Sequence, residues 1–301
     1  MALLTPRSTR FSTPAVFTSS IRTLASMRTR GVFAAYLALT VLAAAFAPLI
    51  APHGPNDLSI QDRLAPPAWL AGGSISHLLG TDELGRDILS RMIFGARTSL
   101  LIGAAVVVIS MLLGVGAGLL AGYVGGRLDS LIMRWVDIQI SFPGLLLAIS
   151  LVFVLGASSR TLIIALCIDG WLVYCRLARS MVLSIRSTTY IEAAKTVGCS
   201  NGRLVLKHIL PNVLSPLITL ATLEFARVVL AESTLSFLGL GVQPPLVSWG
   251  LMLNQGEDYL TVAWWLITFP GLALTLTVLS ANVVASWLRV AADPLQKTGA
   301  K

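Results

Sequence analysis

Apolar residues run through this chain in long blocks, without the short alternation of polar and apolar positions that marks a water-soluble fold. Six windows are mainly apolar, at 31–51, 99–123, 131–155, 161–181, 213–238 and 264–288, and a helix needs about 20 such residues to cross a hydrocarbon layer. The pattern predicts an all-α, polytopic membrane protein with six transmembrane helices. Its parts are a disordered basic tail at 1–30, a first transmembrane helix at 31–51, an external segment at 52–98, a transmembrane region at 99–290 and a tail at 291–301. A re-entrant or interfacial helix is expected around Asp87–Gly95 within the external segment.

Basic residues near span ends are retained on the cytoplasmic side, so their distribution sets orientation. With the N-terminus inside, cytoplasmic segments carry sixteen: Arg7, Arg10, Arg22, Arg28, Arg30, Arg127, Arg134, Arg176, Arg179, Arg186, Lys195, Arg203, Lys207, Arg289, Lys297 and Lys301. The opposite side receives five: Arg63, Arg86, Arg91, Arg97 and Arg160. Both termini are therefore expected in the cytoplasm. The tail before residue 31 is rich in Arg, Ser and Thr and resembles a transit peptide, while the first span resembles a signal sequence. An uncleaved first helix behind a basic topology signal is the plainer account, because five more spans follow it.

One polar loop of any size lies on the cytoplasmic side, at 186–212, reading RSTTYIEAAKTVGCSNGRLVLKHILPN. Thr189 and Glu192 have capping-box spacing, with the Thr hydroxyl serving the amide at the Glu position and the carboxylate returning to the Thr amide. Gly198 tolerates the positive φ that ends a helix, Ser200 can cap a second helix, and Pro211 is expected to stop it. The result is a helix–Gly–helix elbow. An inert loop, a DNA-reading helix-turn-helix and a docking knob for a soluble partner are all compatible with such an elbow. DNA reading is disfavoured by the spans that tether it on both sides. Docking is favoured over inertness, because Ile191, Ala194, Val197, Leu204 and Ile209 would otherwise leave apolar surface in water.

The run Glu192-Ala193-Ala194, then Gly198, then His208-Ile209-Leu210-Pro211 resembles the EAA loop of ABC importer permeases. Further stretches resemble the C-type permeases of dipeptide, oligopeptide and nickel importers: LGTDELGRDILSRMIFGARTSL at 79–100, MRWVDIQISFPGLLLAI at 133–149, LSFLGLGVQPPLVSWGLML at 235–253 and WWLITFPGLALTLTVL at 264–279. Ala285-Ser286 and Arg289-Val290 depart from that pattern, which tends to carry Gly-Asp and Arg-Asp there. The resemblance implies a permease subunit of an ATP-driven importer of short peptides in the bacterial inner membrane. Nickel, glutathione and other small solutes are the alternatives within the family. It also implies that Glu192, Ala193, Ala194, Gly198, His208, Ile209, Leu210 and Pro211 form the element coupling to the ATPase. The expected partners are a second homologous permease, two ATPase domains that bind ATP and Mg, a periplasmic or lipid-anchored solute-binding protein, and membrane lipid.

Composition agrees with a membrane protein: of 301 residues, 55% are hydrophobic and 12% charged, and the mean hydropathy is +0.80, values outside the range of soluble domains. The surplus of 22 Lys+Arg over 14 Asp+Glu follows topology, so no nucleic-acid partner is expected. Cys167, Cys175 and Cys199 show no disulfide or CxxC spacing and read as structural thiols. His53, His77 and His208 fall in separate segments, and neither HExxH nor GxSxG nor a P-loop occurs. No catalytic or metal site is expected, and ATP hydrolysis is assigned to other subunits. Asp82 and Asp87, beside Arg86 and Arg91, read as an ion-pair cluster.

Inside the spans, Gly114, Gly118 and Gly122 place small residues on one helical face for close approach of another helix, in this chain or in a second permease. Pro143, Pro216 and Pro270 are candidate kinks. Charges at Asp169, Glu224, Arg227 and Glu232 must face protein or a water-filled cavity, and all four are cavity candidates. Glu224 and Arg227, three apart, can pair. Asp169 either lines the cavity and favours a cationic group such as a peptide amino terminus, or pairs with Arg227. A secondary transporter, with intramembrane acids carrying protons, is the rival class; the elbow argues against it.

Overall fold

The structure is a computed structural model that describes residues 27–292. Four of the six apolar windows each fall on one helix, the first and third are each divided between two, and among the described residues there is no strand beyond one isolated bridge between Thr81 and Asp87. Helix α1 runs Met27–Ala45 and a short α2 runs Ala47–Ile50. Helix α3 runs Ile88–Val124, α4 runs Gly126–Ile140, α5 runs Gly144–Leu155 and α6 runs Ser159–Arg186. Then come α7 at Thr189–Thr196, α8 at Asn201–Phe237, α9 at Trp249–Gly256 and α10 at Trp265–Ala292.

By length and composition α3, α6, α8 and the Trp265–Arg289 part of α10 suffice to cross a membrane, and α4 with α5 make a fifth span if counted as one. The sixth, α1, is apolar from Arg30 to Ala45 but shorter; its 19 residues reach about 28 Å at 1.5 Å per residue. The expected tails lie outside the described residues at 1–26 and 293–301, and helix replaces tail at 27–30 and at 291–292.

Two expectations about boundaries need correction. No separate helix exists around Asp87–Gly95: these residues are the N-cap and first turns of α3, which runs unbroken for 37 residues. Gly95 marks close contact instead of a break, since a Cβ there would stand 3.2 Å from Trp249 Cδ1. The charges that disguised this turn are neutralised by fold, with Arg91 only 2% exposed, its Nη2 donating to Gln255 Oε1 at 2.6 Å and its Nε 3.4 Å from Asp82 Oδ2. The third window is not one kinked helix either, because α4 and α5 meet at 86° across Ser141–Pro143. Pro143 has no amide hydrogen to continue the ladder. Pro216 and Pro270 stand inside helices that continue through them.

Glycine decides how the centre packs. Added Cβ atoms would meet Trp171 O at 2.3 Å from Gly114, Cys175 O at 2.6 Å from Gly118 and Val182 Cβ at 2.8 Å from Gly122. The stripe thus admits the α6 backbone of the same chain, which settles which helix it faces. Cys167 and Cys175 are buried as free thiols along α6. Around this pair, α5 and α8 pack on α6, while α10 joins α8 to α1, with Tyr36 Oη donating to Ala273 O at 3.2 Å.

Candidate functional site

The elbow begins where α6 ends at Arg186, whose Nη1 donates to Gly122 O at 2.8 Å and ties the root of the elbow to α3. Thr188, and not Thr189, is the N-cap of α7, and no capping box forms. The Thr188 hydroxyl instead donates to Ile185 O at 2.6 Å, back into the turn that ends α6. With the helix started one residue early, Glu192 falls one place beyond the reciprocal position, and its side chain is exposed. Ser200 holds the N-cap of the next helix but contributes no side-chain bond.

The α7 terminus forms as the sequence predicts. Gly198 has φ +85°; its amide donates to Lys195 O at 2.9 Å and the Cys199 amide to Ala194 O at 3.1 Å. This pair of bonds is the Schellman arrangement, which uses a left-handed residue to satisfy the last carbonyls of a helix. Pro211, however, does not stop the following helix. A π-helical segment at Leu204–Ile209 leads into Leu210, so that Leu210 N bonds Val205 O and the chain enters Pro211 with its ring in the first turn of the straight part of α8. The displaced His208 carbonyl accepts from Asn212 Nδ2 at 2.6 Å and from Tyr190 Oη at 3.1 Å.

Burial divides the predicted coupling residues. Ile191, Leu204 and Ile209 are fully buried against the ends of α6 and α8, including Val182 and Val213. The chain itself therefore covers three of the five apolar residues expected to need a partner. What remains is a tip: Glu192, Ala193 and Gly198 are exposed, Ala194 is half-buried and Val197 is 89% exposed. Ala193, Ala194, Val197, Gly198, Cys199 and Arg203 line a concavity of about 400 Å³ there. His208 and Leu210 are half-buried at the root, and Pro211 is exposed.

A second cluster lies between α6 and α8. Arg227 Nη1 stands 2.7 Å from Asp169 Oδ2 and its Nε 2.7 Å from Glu224 Oε2. The Asp169 carboxylate also rests on the start of α5, where a Cβ on Gly144 would fall 2.2 Å from Oδ1. The carboxylate occupies the space a side chain at position 144 would take, and the amides of a helix start favour a negative neighbour. Gln139, at the end of α4, donates through Nε2 to Ile168 O and accepts from Trp171 Nε1 at 3.2 Å. The break between α4 and α5 is thus fastened to α6 beside Asp169. Arg227 retains 44% and Asp169 27% side-chain exposure. Glu232 does not join them: it is 0% exposed and accepts from Ser236 Oγ at 2.8 Å and Ser233 Oγ at 3.2 Å.

Sequence reasoning missed two ion pairs joining α4 to α6, Arg179 Nη2 to Asp129 Oδ2 at 2.7 Å and Arg176 Nη2 to Asp137 Oδ1 at 2.5 Å. Two acids on one helix and two arginines three apart on another were the available signal. The expected Asp82–Arg86 pair is present at 2.6 Å, but Asp87 caps α3 and faces two histidines instead.

The fold is that of a multi-pass membrane protein, with four helices long and apolar enough to cross a membrane, or five if α4 and α5 count as one span. The family model described as "Binding-protein-dependent transport system inner membrane component" matches residues 114–298, and the chain belongs to this family. It is 45% identical to the di/tripeptide transport system permease protein DppC of Pseudomonas aeruginosa over 88% of each chain. It is 46% identical to the dipeptide transport system permease protein DppC of Escherichia coli K12 over 87% of each. Among solved structures, the MetNI methionine ABC transporter in an inward-facing form superposes with a TM-score of 0.56 at 18% identity, covering 68% of this chain and 98% of that one; at this identity the likeness concerns the fold.

Proposed function

We propose that this chain is the membrane-spanning permease subunit of an ATP-driven importer that moves short peptides across the bacterial inner membrane by alternating access. The substrate class rests on the relatives named for dipeptide and di/tripeptide transport, which match nearly nine-tenths of the chain. The partners follow from the same kinship: a homologous second permease, two ATPase domains carrying ATP and Mg, and a solute-binding protein on the outer side. Both termini and the elbow are placed in the cytoplasm by the sixteen-to-five distribution of basic residues along the sequence.

The observation that carries the reading is the elbow tip. Its inner face is packed on α6 and α8, while Val197 and Ala193 point outward around a concavity. An exposed apolar tip on a rigid root suits a soluble partner that pushes on it. A push on the tip reaches α6 through the chain at Arg186, α3 through the Arg186 bond to Gly122 O, and α8 through the continuous Leu204–Leu210 backbone. Asp169, Glu224 and Arg227 carry one excess negative charge and are assigned to the cavity wall, where they favour the cationic amino terminus of a peptide. Glu232 is assigned a structural role. Co-expression with the ATPase subunits of a peptide importer tests the reading: the intact chain retains the ATPase through purification, and a chain that transports without any ATPase overturns it.

A further inference from the structure

We propose that His53, His77 and Asp87 form a binding site for one zinc-like divalent cation where the external segment meets the start of α3. These residues come from two loop positions and the N-cap of α3, and the fold brings their ligand atoms within 4.8 Å of one another. His77 Nδ1 lies 3.1 Å from Asp87 Oδ1, His53 Nδ1 lies 3.8 Å from Asp87 Oδ2, and the two imidazole centroids are 4.9 Å apart. Tetrahedral coordination with bonds of about 2.0–2.1 Å places ligand atoms about 3.3 Å apart, so a cation requires the widest separation to contract by up to about 1.5 Å. His53 can supply it, because its side chain is 35% exposed on a loop.

Two observations point to a ligand instead of a plain His–Asp hydrogen bond. His53 Nδ1 is a buried nitrogen without a hydrogen-bond partner, aimed at the Asp87 carboxylate. The surrounding groups also hold the ligands as metal sites require. Asp87 Oδ2 accepts from Ser90 N at 2.8 Å and Ser90 Oγ at 2.7 Å, which fixes the carboxylate and leaves Oδ1 for the cation. Ser90 Oγ also accepts from the His53 amide at 3.1 Å. On the far side of His77, Nε2 faces Asp62 Oδ2 at 3.8 Å. The neutral ring can therefore carry its proton on Nε2, toward Asp62, while Nδ1 gives its lone pair to the metal. Two imidazole nitrogens and one carboxylate oxygen suit zinc and its borderline neighbours better than calcium or magnesium. Three protein ligands leave one position for water. A cation there would join residues 53 and 77 to the first turn of α3.

The full-length chain, carrying no polyhistidine tag and stripped with a chelator, is titrated with Zn²⁺ against a chromophoric competitor, and Co²⁺ is used in parallel to read coordination by visible absorption. Expected are one equivalent bound with a Kd below about 10 μM, a tetrahedral Co²⁺ spectrum, and at least roughly tenfold weaker binding in His53→Ala. His53→Ala removes a half-exposed ligand and leaves the Asp87 cap in place, so its folding is not at stake; His77→Ala is the second variant. Absence of binding by the wild type at millimolar Zn²⁺ overturns the proposal, as does an affinity unchanged in both variants.

Discussion

Arg227 on α8 and Asp169 on α6 meet at 2.7 Å across 58 positions of sequence. Arg227 is shared, since Glu224 takes its Nε at the same distance. One cation between two acids leaves a surplus negative charge, and both members of the long-range pair remain partly exposed. Asp169→Asn keeps the shape and removes that surplus. Uptake of peptides with a free amino terminus is expected to fall at least about tenfold, the equivalent of a charge-assisted hydrogen bond of roughly 1.5 kcal/mol, while the transporter still assembles. Loss of assembly assigns the pair a structural role, and unchanged uptake removes Asp169 from the cavity wall.

The glycine stripe gives a prediction with an internal control. Gly118→Val drives a side chain into Cys175 O and Ala178 Cβ, whereas Gly116→Val on the same helix meets nothing within 4 Å in this chain. Overpacking at Gly118 is expected to cost about 1–3 kcal/mol, seen as a lower melting temperature in detergent. Gly116→Val should melt like the wild type. Equal melting of both variants contradicts the α3–α6 packing.

At Gly198 the difficulty is conformational and not steric, because an added Cβ meets nothing within 4 Å while φ is +85°. Gly198→Val is expected to destabilise the end of α7 by about 1–2 kcal/mol and to lower transport with membrane insertion intact. Gly198→Asn, which tolerates the left-handed region better, should retain more activity than Val. The same loss in both variants would show that volume at the tip, and not backbone conformation, is what matters.

Orientation is open to direct test. A reporter fused after Lys301 should be active only as a cytoplasmic marker, and one inserted at 55–75 only as an external marker. The reverse pattern contradicts the six-span arrangement.

Much of this architecture was legible because a bilayer imposes a length on apolar runs: each predicted window holds a helix. What escaped depends on contacts between distant residues. The first turns of α3 looked polar because Arg91 appears as a free charge until Asp82 and Gln255 surround it. Thr188 and Thr189 are equivalent caps by composition, and the Thr188 bond to Ile185 O decides between them. Pro211 reads as a stop unless the π segment before it is known. In the site, Gly198 was legible because its requirement is local, and so was the Glu224–Arg227 pair at helical spacing. The full burial of Glu232 against Ser233 and Ser236 and the approach of His53 to His77 are tertiary facts, without a signal in local pattern.

The proposed function requires that short peptides pass through this chain only when a partner docked on its elbow hydrolyses ATP. The decisive assay is uptake of a labelled dipeptide into proteoliposomes with and without ATP. The vesicles hold the chain with its partner permease and ATPases, binding protein is supplied on the substrate side, and ion gradients are dissipated. Uptake is expected to require ATP and Mg and to fall sharply with Gly198→Val. Uptake that persists without ATP, or follows an imposed proton gradient instead, contradicts it.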